Sequence, residues 1–201
     1  MTLITDLQYF SPVIFYYKLG EFKHCIFDQY EHYQKMSFRS RCTLLGGNGT
    51  IALSVPLVGG RGQRIVMRDV RILNTENWQN RHWKTITSCY NKSPWLEYYR
   101  DDLENLYSRK FEWLIDWNLS CFEWAADKLA IKTSWTLSES YVENYAVEEF
   151  VDWREKLMPA TINKEFPDAK RYPQVFEDRF GFIPNLSVLD FLFCMGGAFK
   201  V

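Results

Sequence analysis

The sequence predicts a single α/β domain with a mixed β-sheet flanked by helices. Short apolar runs such as Cys25–Phe27 are typical of buried strands, whereas apolar residues between Asn77 and Ile131 recur near every fourth position, as on one helical face. The chain has 201 residues, enough for one well-buried core, and no repeat, low-complexity tract or linker divides it. We therefore expect one domain over residues 1–201, with a helical layer from about residue 76 to 131.

The N-terminal segment predicts a strand, a helix and a second strand. The first strand is expected at residues 3–8 and the second at residues 24–27. The helix between them, residues 13–19, follows Pro12 and ends before Gly20, which is the usual placement of these two residues around a helix.

A hairpin is expected next, because Gly46-Gly-Asn-Gly49 is a strong turn signal between the apolar segments 37–45 and 50–57. Residues 65–73 read as a further strand. Neither this glycine cluster nor residues 59–62 match a phosphate-binding glycine motif, so both are predicted to be turns.

The helical layer is predicted to hold three helices. The first covers residues 77–89, and a longer helical region follows Ser93-Pro94, with Ser93 as the expected N-cap. This longer region is expected to break into two helices near Ser108.

The C-terminal part predicts a strand at residues 135–137 and a helix at residues 147–157, which Pro159 ends. A closing helix over residues 186–193 is expected, with Asn185 or Ser187 as its cap.

Composition excludes several functional classes. A net charge of −1 and a pI near 6.3 argue against a general nucleic-acid binder. The five scattered cysteines contain no C-x-x-C pair, and the three histidines lack metal-site spacing, so we expect reduced thiols, no metal and no cofactor. No signal peptide or stretch of about 18 apolar residues is evident, which predicts a cytoplasmic protein without a membrane span.

The most informative stretch is the polar segment Asp28–Arg41, directly after the strand Cys25–Phe27. Ligands of open α/β sheets bind beyond the carboxyl ends of the strands. We expect Lys35, Arg39 and Arg41 to bind an anionic small molecule or the pyrophosphate of a nucleotide sugar, with the two arginines on one face of a strand. The alternative is a solvated hairpin face that protects a sheet edge.

Asp28 and His82 are the candidates for proton transfer. Asp28 follows a strand and equally suits a turn. An imidazole ordinarily titrates near neutrality, which suits proton transfer, but His82 shares a helical face with apolar residues, as a core histidine would. Tyr30, Tyr33 and Trp83 are candidates for stacking on a sugar. The remaining candidate substrate-binding residues are Gln34, Lys84, Asp178 and Asn185.

The C-terminal candidates also have a structural interpretation. Arg179 is expected to pair with Asp190, while Asn185 or Ser187 caps the final helix. Because a helix N-terminus attracts anions, the same segment could instead close one side of the pocket.

Four stretches form a recognisable combination: Gln8-Tyr-Phe-Ser-Pro12, Glu31–Arg41, His82–Tyr99 and Tyr172–Asp190. Together they resemble the WbqC-like family of bacteria. The chain departs from the family pattern at Ser11, where a second proline is more usual. The resemblance implies a role in O-antigen or other surface-polysaccharide assembly, without implying a reaction or a catalytic residue.

These observations favour a transferase that modifies an activated sugar, or that transfers an acyl or aminoacyl group to one. The alternative is a non-enzymatic binding or scaffolding protein in the same pathway, whose aromatic residues would form an interface. The sequence does not decide between them.

Overall fold

A computed structural model describes residues 1–60 and 62–197. This part of the chain contains six strands: β1 (Thr2–Thr5), β2 (His24–Phe27), β3 (Arg41–Gly46), β4 (Gly49–Ser54), β5 (Ser134–Leu137) and β6 (Phe150–Asp152). It contains seven α-helices: α1 (Val13–Leu19), α2 (Trp78–Tyr90), α3 (Leu96–Ser108), α4 (Leu114–Lys128), α5 (Ile162–Glu165), α6 (Glu177–Phe180) and α7 (Val188–Met195). The predicted α/β class and the helical layer are confirmed.

Four strands form a parallel sheet in the order β5-β2-β1-β6, while β3 and β4 form a separate antiparallel hairpin. The sequence predicted one mixed sheet, whereas in the structure the parallel strands and the antiparallel strands form two separate sheets. Strand β1 lies between β2 and β6, and the chain moves to opposite sides of β1 to form them. This reversal of strand order is the position at which open parallel sheets bind ligands.

Aromatic side chains fill the core beside the sheet. Trp117 of α4 is fully buried, and its ring lies 5.2 Å from Trp78, 5.1 Å from Tyr107 and 5.5 Å from Tyr9, measured between centroids. Such offset or edge-on pairs stabilise a core beyond the area they bury. The packing fixes α2, α3 and α4 against the segment that follows β1.

Helix predictions in the N-terminal half and the helical layer are confirmed. Helix α1 has the predicted bounds, and the break between α3 and α4 follows Ser108. The predicted N-cap role of Ser93 is wrong, since its hydroxyl donates to the carbonyl of Tyr90 at 2.6 Å and Trp95 is the N-cap residue of α3.

Two predicted strands differ from the structure because their backbone groups bond elsewhere. The segment 65–73 forms a 3₁₀ turn at Met67–Asp69. In this turn the N–H of Met67 donates to the Glu31 carbonyl, and the N–H of Arg68 donates to the Gln29 carbonyl. The hairpin begins at Arg41 because residues 37–40 form turns before it.

The predicted helix over residues 147–157 is wrong. Residues 150–152 instead form β6, which pairs in parallel with β1 in the register Thr2↔Phe150 and Ile4↔Asp152. The Trp153 N–H extends this pairing by donating to the Ile4 carbonyl at 2.7 Å. Pairing with a distant strand therefore overrides the local helical pattern.

The length and composition of the helices show whether any of them could cross a membrane. Among the helices of residues 1–60 and 62–197, none is both long and apolar enough to cross a bilayer.

Candidate functional site

Polar side chains meet at the carboxyl ends of the four parallel strands. Asp6 follows β1, Asp28 follows β2, Ser138 follows β5, and Asp152 is the last residue of β6. Parallel strands end at the same edge of a sheet, so the fold itself brings these groups together.

Arg154 joins the ends of β2 and β6. Its Nη1 atom donates to Oδ2 of Asp28 at 3.0 Å, and its Nε and Nη2 atoms donate to Asp152 at 3.0 and 2.6 Å. The second oxygen of the buried Asp28 accepts from the backbone N–H of Tyr30 at 2.9 Å and the hydroxyl of Ser138 at 3.1 Å. Hydrogen bonds to Asp152 raise the pKa of Arg154, so its guanidinium stays charged.

The same guanidinium holds the segment that connects β5 to β6. It donates to the carbonyls of Val142 at 2.8 Å and Glu143 at 3.0 Å. Its central carbon also lies 5.6 and 5.2 Å from the ring centroids of Tyr141 and Tyr145, within the range of cation–π contacts. The segment is thereby fixed over the strand ends.

Arg39 organises a second, largely buried network. Its Nε atom donates to Oε1 of Glu31 at 2.8 Å, and its Nη2 atom makes an ion-pair contact with Oε2 at 2.7 Å. Nη1 lies 3.8 Å from Oδ2 of Asp6, which also accepts from Gln8 at 2.8 Å. Burial raises the pKa of Glu31 above its usual range, and Arg39 opposes this shift.

Both networks border one open crevice of about 350 Å³, within the usual size range of ligand sites. It is lined by Glu31, His32, Gln34, Tyr141, Asp152, Arg154 and Glu155. Glu155 has a left-handed backbone with φ of 65° and accepts a hydrogen bond from Gln34. For a residue other than glycine this conformation is strained, and such strain is concentrated at functional sites.

Charge in the crevice is not positive. The one guanidinium on its wall, that of Arg154, is already paired with Asp28 and Asp152, and Glu155 adds a further carboxylate. Carboxylates accept hydrogen bonds from hydroxyl or ammonium groups and repel phosphate. The crevice therefore suits a polyhydroxylated or cationic group.

A second pocket of about 340 Å³ shares Gln34 with the crevice. Its lining is Tyr33, Gln34, Lys35, Gly62, Gln63 and Arg64. Lys35 and Arg64 are both exposed, and neither has an ion-pair partner among the described residues. This pocket, unlike the crevice, offers cations to an anionic group.

The predicted basic row does not form. Arg39 is enclosed by Glu31 and Asp6 and is not on an exposed face, because residues 37–40 are turns and not strand. Arg41 starts β3, with Nη2 directed to the sulfur of Met36 at 3.1 Å. Of the three cations, only Lys35 lines a pocket at the strand ends, and substrate binding by all three stays a prediction.

His82 lies in a different environment from Asp28. It is buried on α2, and its Nδ1 atom lies 3.0 Å from the hydroxyl of Tyr9, which in turn lies 2.6 Å from the hydroxyl of Tyr107. Burial lowers the pKa of His82 to about 4, which favours the neutral imidazole. Trp83 is half-buried beside it and Lys84 is exposed; none of these three helix residues lines the crevice.

Of the two predicted stacking tyrosines of the polar segment, Tyr33 lines a pocket and Tyr30 does not. The hydroxyl of Tyr30 accepts from Nη1 of Arg68 at 2.6 Å, and Tyr33 is buried with its hydroxyl 2.7 Å from that of Ser40. Tyr33 lines the Lys35 pocket.

Asp178 and Asn185 of the C-terminal segment line neither the crevice nor the Lys35 pocket, and their role in substrate binding stays a prediction. Asp178 is exposed on α6, and Asn185 donates to Oδ1 of Asn163 at 3.0 Å. The predicted pair of Arg179 with Asp190 is wrong, because Arg179 donates to the Gly47 carbonyl.

Asp190 is fully buried and has neutral partners. It accepts from the hydroxyls of Tyr90 and Tyr172, both at 2.7 Å, and from the amide of Gln174 at 3.1 Å. The cap predicted for the last helix is confirmed at Ser187, whose hydroxyl accepts from the N–H of Leu189 at 3.3 Å.

Sequence reasoning missed Glu31, Asp152, Arg154 and Glu155 as site residues. Glu31 lies within the polar segment that the strand-end rule selects, so that rule was sufficient to find it. Asp152 ends β6 and Arg154 and Glu155 follow it, and because this segment was predicted to be a helix, no strand end was expected there. In the described part of the chain, no cluster of three or more histidine, cysteine or acidic residues is arranged to hold a metal ion.

Comparison with known proteins identifies a family. No curated protein and no solved structure matches the chain. The sequence model of the WbqC-like protein family matches residues 8–162 of 201. This range includes every residue that lines the crevice, and of the Arg154 and Arg39 networks it leaves out only Asp6. Three of the four stretches that resemble the family lie inside this range, whereas Tyr172–Asp190 lies outside it. The chain therefore belongs to the WbqC-like protein family.

Proposed function

We propose that this protein is a transferase of cell-surface polysaccharide biosynthesis that acts on an activated sugar, or that transfers an acyl or aminoacyl group to one. The observation that carries this proposal is the crevice at the carboxyl ends of the parallel strands, where such folds bind their ligands. The polysaccharide context rests on the resemblance to the WbqC-like family.

The two adjoining pockets fit the two parts of an activated sugar. Hydroxyl groups of the sugar would bond to Asp152 and Glu155 in the crevice, while the phosphate would lie by Lys35 and Arg64 in the second pocket. Gln34 lines both, so one ligand can span them. With the phosphate bound by Lys35 and Arg64, the buried Arg39 is not needed to bind it.

Glu31 is the group best placed to exchange a proton with a ligand in the crevice. It lies on the crevice wall in an orientation fixed by Arg39, and burial raises its pKa toward the range useful for acid–base catalysis. We assign Asp28 a positioning role through Arg154, and His82 a structural role in the core.

A thermal-shift panel tests the proposal. The ligands are UDP-glucose, UDP-N-acetylglucosamine and acetyl-CoA, each with and without Mg²⁺, and methyl α-D-glucopyranoside as a sugar without phosphate. A ligand that binds only the folded state adds about 2.7 kcal/mol of stability at a hundred times its Kd. We expect a nucleotide sugar to raise the melting temperature in a dose-dependent manner.

Two variants with matched controls locate the bound groups. Glu155→Gln should weaken both the nucleotide sugar and the methyl glycoside, whereas the exposed Glu148→Gln should change neither. Lys35→Ala should weaken only the nucleotide sugar, and the exposed Lys164→Ala should leave it unchanged. Stabilisation that survives Glu155→Gln and Lys35→Ala would reject this site.

One surface favours the alternative of a binding or scaffolding protein. Trp95 and Tyr98 are 40% and 72% exposed, and their rings make an edge-on contact at 5.8 Å. Exposed aromatic pairs are common in protein interfaces. A flat ligand panel, together with loss of a pathway partner in a Tyr98→Ala pull-down, would favour this second function.

A further inference from the structure

We propose that a pocket on the helical layer, between the start of α2 and the end of α3, binds a neutral saccharide. The pocket has a volume of about 320 Å³ and is lined by Asn77, Gln79, Asn80, Trp83, Glu104, Tyr107, Ser108 and Lys110. It shares no lining residue with the crevice or with the Lys35 pocket, so the inference does not depend on the function proposed above.

Trp83 gives the pocket a rigid aromatic floor. Its ring is half-buried and stacks on that of Tyr107, with the centroids 6.0 Å apart and an interplanar angle of 26°. Tyr107 is itself held in the core by its hydroxyl contact with Tyr9 at 2.6 Å and by Trp117 at 5.1 Å. An indole fixed in this way offers a flat apolar surface, against which the C–H face of a pyranose can pack.

Polar side chains with unused hydrogen-bonding capacity surround this floor. Asn77, Asn80 and Glu104 are exposed, and none of their side chains bonds to another group in the described part of the chain. Asn77 does not use its side chain to cap α2, although it occupies the N-cap position. Amides both donate and accept and a carboxylate accepts, which matches hydroxyl groups that do both.

The charges of the pocket select against ions. Glu104 and Lys110 are its only formally charged lining residues, and they are of opposite sign. A phosphate or a cation would gain little net attraction from such a pair in water. A neutral ligand with one apolar face and several hydroxyl groups remains, and this is the chemistry of a saccharide.

Saturation-transfer difference NMR on the full chain tests the inference. The probes are methyl α-D-glucopyranoside, methyl α-L-rhamnopyranoside and N-acetylglucosamine, with uridine as a neutral stacking ligand of another class. We expect transfer to the ring C–H protons of at least one saccharide, and none to uridine. The indole N–H signal of Trp83, assigned from Trp83→Phe, should shift on titration.

Variants separate this pocket from the crevice. Asn80→Ala removes an exposed amide, so it should leave the fold intact and weaken saccharide binding by roughly three- to tenfold, as loss of one hydrogen bond does. Asn105→Ala, an exposed amide of α3 outside the pocket, is the matched control. Glu155→Gln in the crevice should not affect the indole shift of Trp83.

The outcomes are decisive in either direction. Saccharide transfer that falls in Asn80→Ala and persists in Asn105→Ala supports the pocket. Absence of transfer to all three saccharides, transfer unchanged in Asn80→Ala, or transfer to uridine alone overturns it. Each of these results leaves the nucleotide-sugar panel at the crevice to be judged on its own.

Discussion

Replacing Arg39 with methionine should destabilise the protein strongly, because the change removes the only guanidinium from a buried acidic network. Arg39 makes one hydrogen bond to Glu31, from Nε at 2.8 Å, and a second ion-pair contact from Nη2 at 2.7 Å, and its side chain is fully buried. Removing one partner of a buried ion pair costs about 3–5 kcal/mol, since the other charge is left without compensation. Methionine keeps the aliphatic stem, so little of this loss comes from a cavity.

Urea unfolding followed by tryptophan fluorescence and far-UV circular dichroism would measure this loss. The matched control is Arg81→Met, because Arg81 pairs with Glu76 at the same 2.7 Å but with side chains that are 63% and 45% exposed. An exposed pair contributes about 0–1 kcal/mol, so the control should change stability little.

A double-mutant cycle with Glu31→Gln makes the test quantitative. We expect the double variant to lose less than the sum of the two single variants, by about 1–3 kcal/mol, because residue 31 then carries no carboxylate that loses its cation. A loss below about 1 kcal/mol in Arg39→Met, or strict additivity in the cycle, would refute the reasoning.

Three further predictions concern the core. The pKa of His82 is lowered from 6.5 to about 4, so between these two values the unfolded chain binds a proton that the folded chain does not. The free energy of unfolding should therefore fall by about 3 kcal/mol as the pH drops from 6.5 to 4. Urea unfolding across this range should show a smaller dependence of stability on pH in His82→Asn, and an unchanged dependence would contradict the assignment. Tyr90→Phe removes a hydrogen bond to Asp190 and should cost about 1.5–3 kcal/mol, whereas Tyr98→Phe on the surface should be neutral in the same calorimetric scan. Ser187→Ala should cost about 1 kcal/mol by urea unfolding and Ser187→Thr much less; equal stability of both variants and wild type would exclude the cap.

Local signals were sufficient where an element is defined by its own residues. Helix α1 has the predicted bounds because Pro12 and Gly20 act at its ends through their own backbone restrictions. Strand β2 was also located with its observed bounds, as a short apolar run between polar segments. The local sequence was enough to indicate the element type at both positions, although β2 itself pairs with β1 and β5.

Strand β6 shows where such signals fail. Three residues carry too little periodicity to distinguish strand from helix, and the state of residues 150–152 is decided by pairing with β1, about 150 positions earlier in the chain. The error removed Asp152 and Arg154 from the predicted site, although Asp28 was found from the same rule applied to β2.

Arg39 illustrates a second limit. The sequence identifies it as a cation near a strand end, but its availability depends on burial and on the acids around it. Glu31 lies only eight positions earlier and Asp6 follows another strand, and together they occupy the guanidinium. A pattern of residue types gives the charge of a side chain and not whether that charge is already compensated.

The hold of Arg154 on the segment between β5 and β6 has an energetic consequence for binding. Ordering a free backbone costs about 1–2 kcal/mol per residue, and a site that orders a loop on binding gives up that amount of affinity. Here the guanidinium has already ordered Val142 and Glu143 through their carbonyls during folding. The crevice wall that includes Tyr141 is therefore preorganised, and a ligand entering the crevice gains its contacts without supplying the conformational entropy of that wall.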